Sequence, residues 1–141
     1  GDINMYSQWG IIDAKVFKAN STLARLRNQL VKLDTDGTIT PATPAAGGLF
    51  FPVKQNVNAD SASENVDYQL TGVASVFVES ATSIVAGNIV IVGPTGVGVV
   101  NGGANKSLIA ADAVIVGIAL LSAAGLNEIP VLLQPEIFEA P

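Results

Sequence analysis

Residues 86–100 read A-G-N-I-V-I-V-G-P-T-G-V-G-V-V. After an Asn/Gly-rich gap, residues 114–133 read V-I-V-G-I-A-L-L-S-A-A-G-L-N-E-I-P-V-L-L. Short Val/Ile runs alternate with Gly, Pro and Asn, and charge is almost absent. β-branched residues fit a pleated, half-buried surface, and Gly and Pro punctuate it. The reading is all-β: a small β-barrel or β-tulip-like sandwich built from hairpins, with an extended N-terminal arm.

The rest of the chain supports that grammar. Leu30-Val-Lys-Leu33, Asp34-Thr-Asp-Gly37 and Thr38-Ile-Thr40 predict strand, turn and strand over 29–40. Asp-Gly between apolar runs is a hairpin signal, because Gly accepts a positive φ without a Cβ clash. Residues 21–33 also carry Leu23, Leu26, Leu30 and Leu33 at helical spacing, with Ser21 as a fair N-cap, so a short helical turn near 21–27 stays open. Leu49 to Val53, Val66 to Leu70, and Val73 to Val78 read as strands, with Pro52 marking an edge or bulge. Ile89 to Val92 and Val97 to Val100 flank Gly93-Pro-Thr-Gly96 as a second hairpin. Asn101 to Lys106 reads as a loop, and Ser107 to Asp112 has room for a helical turn. Val114 to Leu121 and Ile129 to Leu133 read as the last main strands. Asn28 to Gly37 weakly echoes Asn88 to Gly96, and Gly48-Leu-Phe echoes Gly117-Ile-Ala, as a pseudo-repeat would. The expected organisation is an arm over 1–27, a β-barrel domain over 28–135 and a tail over 136–141.

Composition narrows the chemistry. The 141 residues include no Cys and no His. Thiol nucleophiles, disulfides, His bases and the usual zinc ligand sets are therefore unavailable. The 93–98 string G-P-T-G-V-G starts like a phosphate-binding loop, but Val99 and Val100 stand where Lys and Ser/Thr are needed. Asp34-Thr-Asp-Gly37 lacks the further ligands and distal Glu of a calcium loop. The sequon Asn20-Ser-Thr22 carries little weight without a secretion signal. Carboxylate pairs such as Glu64 with Asp67, or Asp112 with Glu128, have few aromatics to build a cleft around them. No catalytic residue, metal or cofactor is expected.

Hydrophobic residues make up 49% of the chain and charged residues 13%, about half the usual charged share. An apolar, low-charge surface points to oligomerisation or to attachment to a larger assembly. Net charge is −5, and its distribution is uneven. In residues 1–33, Lys15, Lys18, Arg25, Arg27 and Lys32 face Asp2 and Asp13, a balance of +3. Beyond them, Lys54 and Lys106 face ten carboxylates, a balance of −8. So acidic a body disfavours nucleic acid. No membrane span is expected, since the apolar run at 114–124 is too short. The start, G-D-I-N-M-Y-S-Q-W-G, lacks the basic and apolar regions of a signal peptide. Residues 1–20 hold Tyr6, Trp9 and Phe17, three of eight aromatics, and read as an arm or a first edge strand. Tyr6, Trp9, Phe17, Lys15, Lys18, Arg25 and Arg27 are the candidate contacts to a partner or to another subunit, because large aromatics and Arg anchor interfaces.

Three stretches carry a resemblance to a known family: L-V-K-L-D-T-D-G-T-I-T-P-A-T at 30–43, A-G-N-I-V-I-V at 86–92 and V-G-I-A-L-L-S-A-A-G-L-N-E-I-P-V-L-L at 116–133. Together they resemble tailed-phage capsid decoration (cement) proteins, with their G-D hairpin and a closing G-x-A-x-x-x-A-x-x-G-E-x-V-x-V-x-L unit. Gly117, Ala119, Ala123, Glu128, Val131 and Leu133 match that unit. Leu126-Asn127, between Gly125 and Glu128, and Pro130 depart from it. The resemblance spans roughly residues 28–133; residues 1–27 lie outside it.

The resemblance implies a β-barrel or β-tulip protein on the outer surface of the virion head, made in the host cytoplasm. It would bind the major capsid protein and itself, with a homotrimer favoured over a dimer, and bridge capsid subunits. Removing residues 1–20 is expected to abolish binding. The alternatives are a phage tail, fibre or baseplate β-module binding a glycan or another structural protein, and a small β-barrel enzyme or ligand carrier.

Overall fold

The computed structural model describes residues 14–18, 28–33, 36–41, 53–54, 65–79, 83–111, 113–124 and 128–137. Twelve strands run through them: β1 (Ala14–Lys18), β2 (Val31–Leu33), β3 (Ile39–Pro41), β4 (Val53–Lys54), β5 (Asn65–Gln69), β6 (Val73–Phe77), β7 (Ser83–Ile84), β8 (Ile89–Val92), β9 (Val99–Gly103), β10 (Val114–Ala119), β11 (Ala123–Ala124) and β12 (Glu128–Ile137). A single 3-10 turn, Lys106–Leu108, is the helical structure among them. The fold is all-β.

The principal sheet has the order β6-β12-β10-β8-β9, with every neighbouring pair antiparallel. Its two edge strands therefore run in the same direction. They meet as that geometry requires, through a parallel bridge between Val78 and Val99. The Glu79 N–H donates to the Val99 carbonyl at 3.1 Å. The sheet thus curls until its edges touch at one bridge, and among the described residues no continuous ladder closes it into a full barrel.

Alternation explains the curl. On β6, Ala74 and Val76 face inward while Val73 and Ser75 are exposed; on β12, Ile129, Val131 and Leu133 are buried while Leu132 is exposed. Those inward residues join Val78, Val90, Val92, Val99, Val114, Val116 and Ala119 in one core. Each fully buried Val, Leu or Ile contributes roughly 1.5–3 kcal/mol of transfer free energy. The central strand β10 is buried on both faces, because Ile115 packs outward against Ile89 and Ile109 beneath the 3-10 turn. A register shift between Ile115 and Gly117 bends β10, and a Cβ at Gly117 would overlap the Leu132 carbonyl on the next strand.

A second, three-stranded sheet has the order β1-β5-β4. Its chain passes into the principal sheet through 70–72, a turn fixed by Gln69. That side chain is 1% exposed, and its Nε2 donates to the carbonyls of Thr71 (2.7 Å) and Val73 (2.9 Å). Two small ribbons, β2-β3 and β11-β7, complete the pairing.

The 28–30 segment straps the open side of the principal sheet. The Phe77 N–H donates to the Asn28 carbonyl, and the Leu30 N–H donates to the Val97 carbonyl, both at 3.0 Å. Leu30 is fully buried in the main core. Asn28 adopts φ 70°, a left-handed conformation that Asn tolerates better than most residues. Its Nδ2 donates to Glu128 Oε2 at 2.9 Å, and Ser75 Oγ donates to the same oxygen at 3.3 Å.

Several sequence readings meet the structure directly. Within the 29–40 segment, Val31–Leu33 pairs with Ile39–Pro41 as strands, and Gly37 before the second strand has φ 84°. The 89–100 hairpin forms, with Val97 and Gly98 in the turn and the second strand starting at Val99 rather than Val97. Residues 101–103 are strand rather than loop, because β9 keeps pairing with β8 as far as Gly103 opposite Ile89. Glu136 and Ile137, expected in the tail, extend β12 along β10. Of the arm or edge-strand alternatives, Ala14–Lys18 is an edge strand. The helical turn near 21–27, and Gly48-Leu-Phe of the echo, lie outside the described residues. No helix among the described residues is long and apolar enough to cross a membrane.

Candidate functional surface

The seven contact candidates fall into two groups. Tyr6, Trp9, Arg25 and Arg27 lie outside the described residues. Lys15, Phe17 and Lys18 all sit on edge strand β1, opposite Tyr68, Val66 and Asn65 of β5. The two-residue period of a strand puts positions 15 and 17 on one face and position 18 on the other.

The principal sheet adds exposed apolar residues that sequence patterning did not single out. Val85 (52% exposed), Leu120 (42%) and Leu121 (58%) lie on two adjoining segments at one end of the sheet. Those segments are tied by the Gly87 N–H to the Ala119 carbonyl (2.7 Å), the Ala119 N–H to the Asn88 carbonyl (2.9 Å) and the Ala86 N–H to Ser122 Oγ (2.9 Å). The β7-β11 ribbon underlies them. Their frame is well bonded while their side chains stay in water. A second apolar pair, Val73 and Leu132, stands cross-strand on the outer face of β6 and β12. In the sequence these residues read as ordinary members of apolar runs; only the strand ends and the register reveal which of them remain uncovered.

Charge is sparse on the described surface. Lys106 pairs with Glu136, both half-exposed. Among the described residues no three Asp or Glu side chains gather as metal ligands would.

The phosphate-loop-like string does hold an anion, and the anion is the protein's own. The Gly93 N–H donates to the Gly98 carbonyl (2.9 Å), and the Gly96 N–H to the Gly93 carbonyl (3.0 Å), closing the 93–98 loop on itself. The carboxylate of Glu79, a residue only 7% exposed, lies against this loop. It accepts the Thr95 N–H at Oε1 (3.3 Å) and the Gly98 N–H at Oε2 (3.4 Å). A Cβ at Gly93 would overlap the carboxylate, so the missing side chain is what admits it. With Val99 and Val100 in place of Lys and Ser/Thr, and strand β9 following instead of a helix, the loop lacks the phosphate-binding apparatus, as the sequence reading expected.

The chain matches no family model and no curated protein.

Proposed function

We propose that the protein is a structural docking module: a capsid decoration protein that binds the outer surface of an icosahedral phage head and bridges neighbouring major capsid subunits. The observation that carries the reading is the exposed cluster of Val85, Leu120 and Leu121 on a rigid, low-charge β body. Exposed apolar clusters on a well-bonded frame mark protein-interaction surfaces. The sequence resemblance supplies the identity of the partner, and the basic, aromatic-bearing first segment supplies a second point of attachment. Self-association, as a trimer in preference to a dimer, multiplies weak contacts into avidity, and its symmetry would match the lattice site it covers.

The test is co-sedimentation of the full chain with purified mature heads, with tails and with unassembled major capsid protein. Saturable binding to heads alone is expected. Leu121→Ser is expected to weaken it about tenfold or more with little change in thermal midpoint. Deleting residues 1–13, which spares the β1 pairing, is expected to weaken it as well. Saturation of tails in place of heads would overturn the reading.

A further inference from the structure

We propose that Glu79 is a latch: its carboxylate holds the 93–98 loop and, through one shared peptide unit, keeps the 28–30 strap docked on the principal sheet. The argument rests on two bonds made by one peptide. The Val97 carbonyl accepts the Leu30 N–H, while the Gly98 N–H on the other side of the same peptide bond donates to Glu79 Oε2. A peptide unit is planar, so its C=O and N–H turn together. If the Gly98 N–H swings away from the carboxylate, the Val97 carbonyl swings away from Leu30.

The placement of Glu79 strengthens the coupling. Its own N–H bonds Val99 on β9, so one residue grips the sheet edge by its backbone and the loop by its side chain. The elements bonded around it, residues 73–78, 93–99 and 28–30, carry no charged side chain. Two of its partners there are backbone N–H groups, those of Thr95 and Gly98. A buried carboxylate in such a setting is costly unless those donors stay in place. An apolar residue would fill the space at lower cost, which points to the contact itself as the reason for the residue.

The consequence reaches beyond the seam. Leu30 is fully buried in the main core, and the strap is the first described segment after β1. Releasing it exposes Leu30. The latch thus links the state of a surface loop to the burial of Leu30 in the main core, wherever on a larger assembly the protein docks.

The experiment is amide hydrogen exchange, read by NMR on the full chain, comparing the wild type with Glu79→Gln. The carboxamide keeps the shape but turns an NH2 toward one of the loop's donors. Protection of Leu30, Thr95 and Gly98 is expected to fall about tenfold or more, while Val116 at the centre of β10 stays within about twofold. Loss at Gly98 with Leu30 unchanged, or a uniform fall that includes Val116, overturns the proposal. If Glu79→Gln does not fold, Glu79→Ala titrated with sodium formate replaces it. Saturable recovery of Leu30 protection that sodium chloride does not reproduce is then expected, and absence of recovery overturns the latch.

Discussion

The turn at Asp36-Gly37 is held by its own residues, whereas the turn at 93–98, besides its own backbone bonds, is held by a carboxylate from just past β6. At the first, Asp36 Oδ1 accepts the Thr38 hydroxyl (2.6 Å) and the Thr38 N–H (3.0 Å), and every atom involved is exposed. At the second, the carboxylate and the N–H it meets lie sixteen residues apart and part-buried. The first turn serves a two-stranded ribbon, β2-β3. The second serves the place where the principal sheet meets its own edge. Local turns of the first kind set register cheaply, while a turn bonded across the fold joins the cooperative unit that unfolds as a whole.

Four substitutions break or sharpen that comparison. The largest effect is expected from Leu30→Ala, which empties a fully buried site at the strap. A loss of about 3–4 kcal/mol in urea unfolding is expected; a loss below about 1 kcal/mol would mean that the strap is not part of the core. Gly93→Ala comes next. Its Cβ meets the Glu79 carboxylate, so overpacking and broken bonds together are expected to cost about 2–3 kcal/mol. The matching change in the other hairpin, Gly37→Ala, finds open space and meets only the strain of φ 84°. About 1 kcal/mol is expected there. Equal losses for the two glycines would erase the distinction between the turns.

The smallest effect concerns titration. The Thr38 hydroxyl, and then its N–H, hold the Asp36 carboxyl below its ordinary value of 3.8. A depressed carboxylate favours the folded state above the unfolded value, and that contribution is lost as pH falls through the folded value. Thr38→Val removes the hydroxyl bond, so Asp36 should titrate closer to 3.8 in a carbon-detected NMR titration. Because Asp36 is exposed, unfolding at neutral pH should barely change. An unmoved titration would show that the hydroxyl bond does not form in solution.

The same contrast explains what was legible in the sequence. Asp-Gly between apolar runs announced β2 and β3, since all the information lies within a few residues. Apolar/polar alternation over Val66 to Leu70 announced β5, and Val/Ile runs announced β8 and β10. Ser83-Ile84 and Ala123-Ala124 gave no sign of pairing, because two-residue strands have no period to read. The bonds between Glu79 and the 93–98 loop were equally hidden. The loop was recognisable as Gly-rich, but nothing nearby named its occupant, and a lone Glu after a Val-rich strand reads as an exposed end. Lys15, Phe17 and Lys18 lay on a segment that read as an arm or a first edge strand, and pairing with a segment some fifty residues later decides for the strand. Leu120 and Leu121 closed a strand in the sequence reading and Val85 fell in no strand; all three are exposed at the end of the sheet.

The central proposal is that this β body works as a docking piece on a phage head. Cryo-electron microscopy of virions with and without the protein tests it most directly, through the difference map. The account predicts repeated density on the outer surface of the head, at sites bridging neighbouring capsid subunits. Density confined to the tail, or heads identical in the two samples, would contradict it.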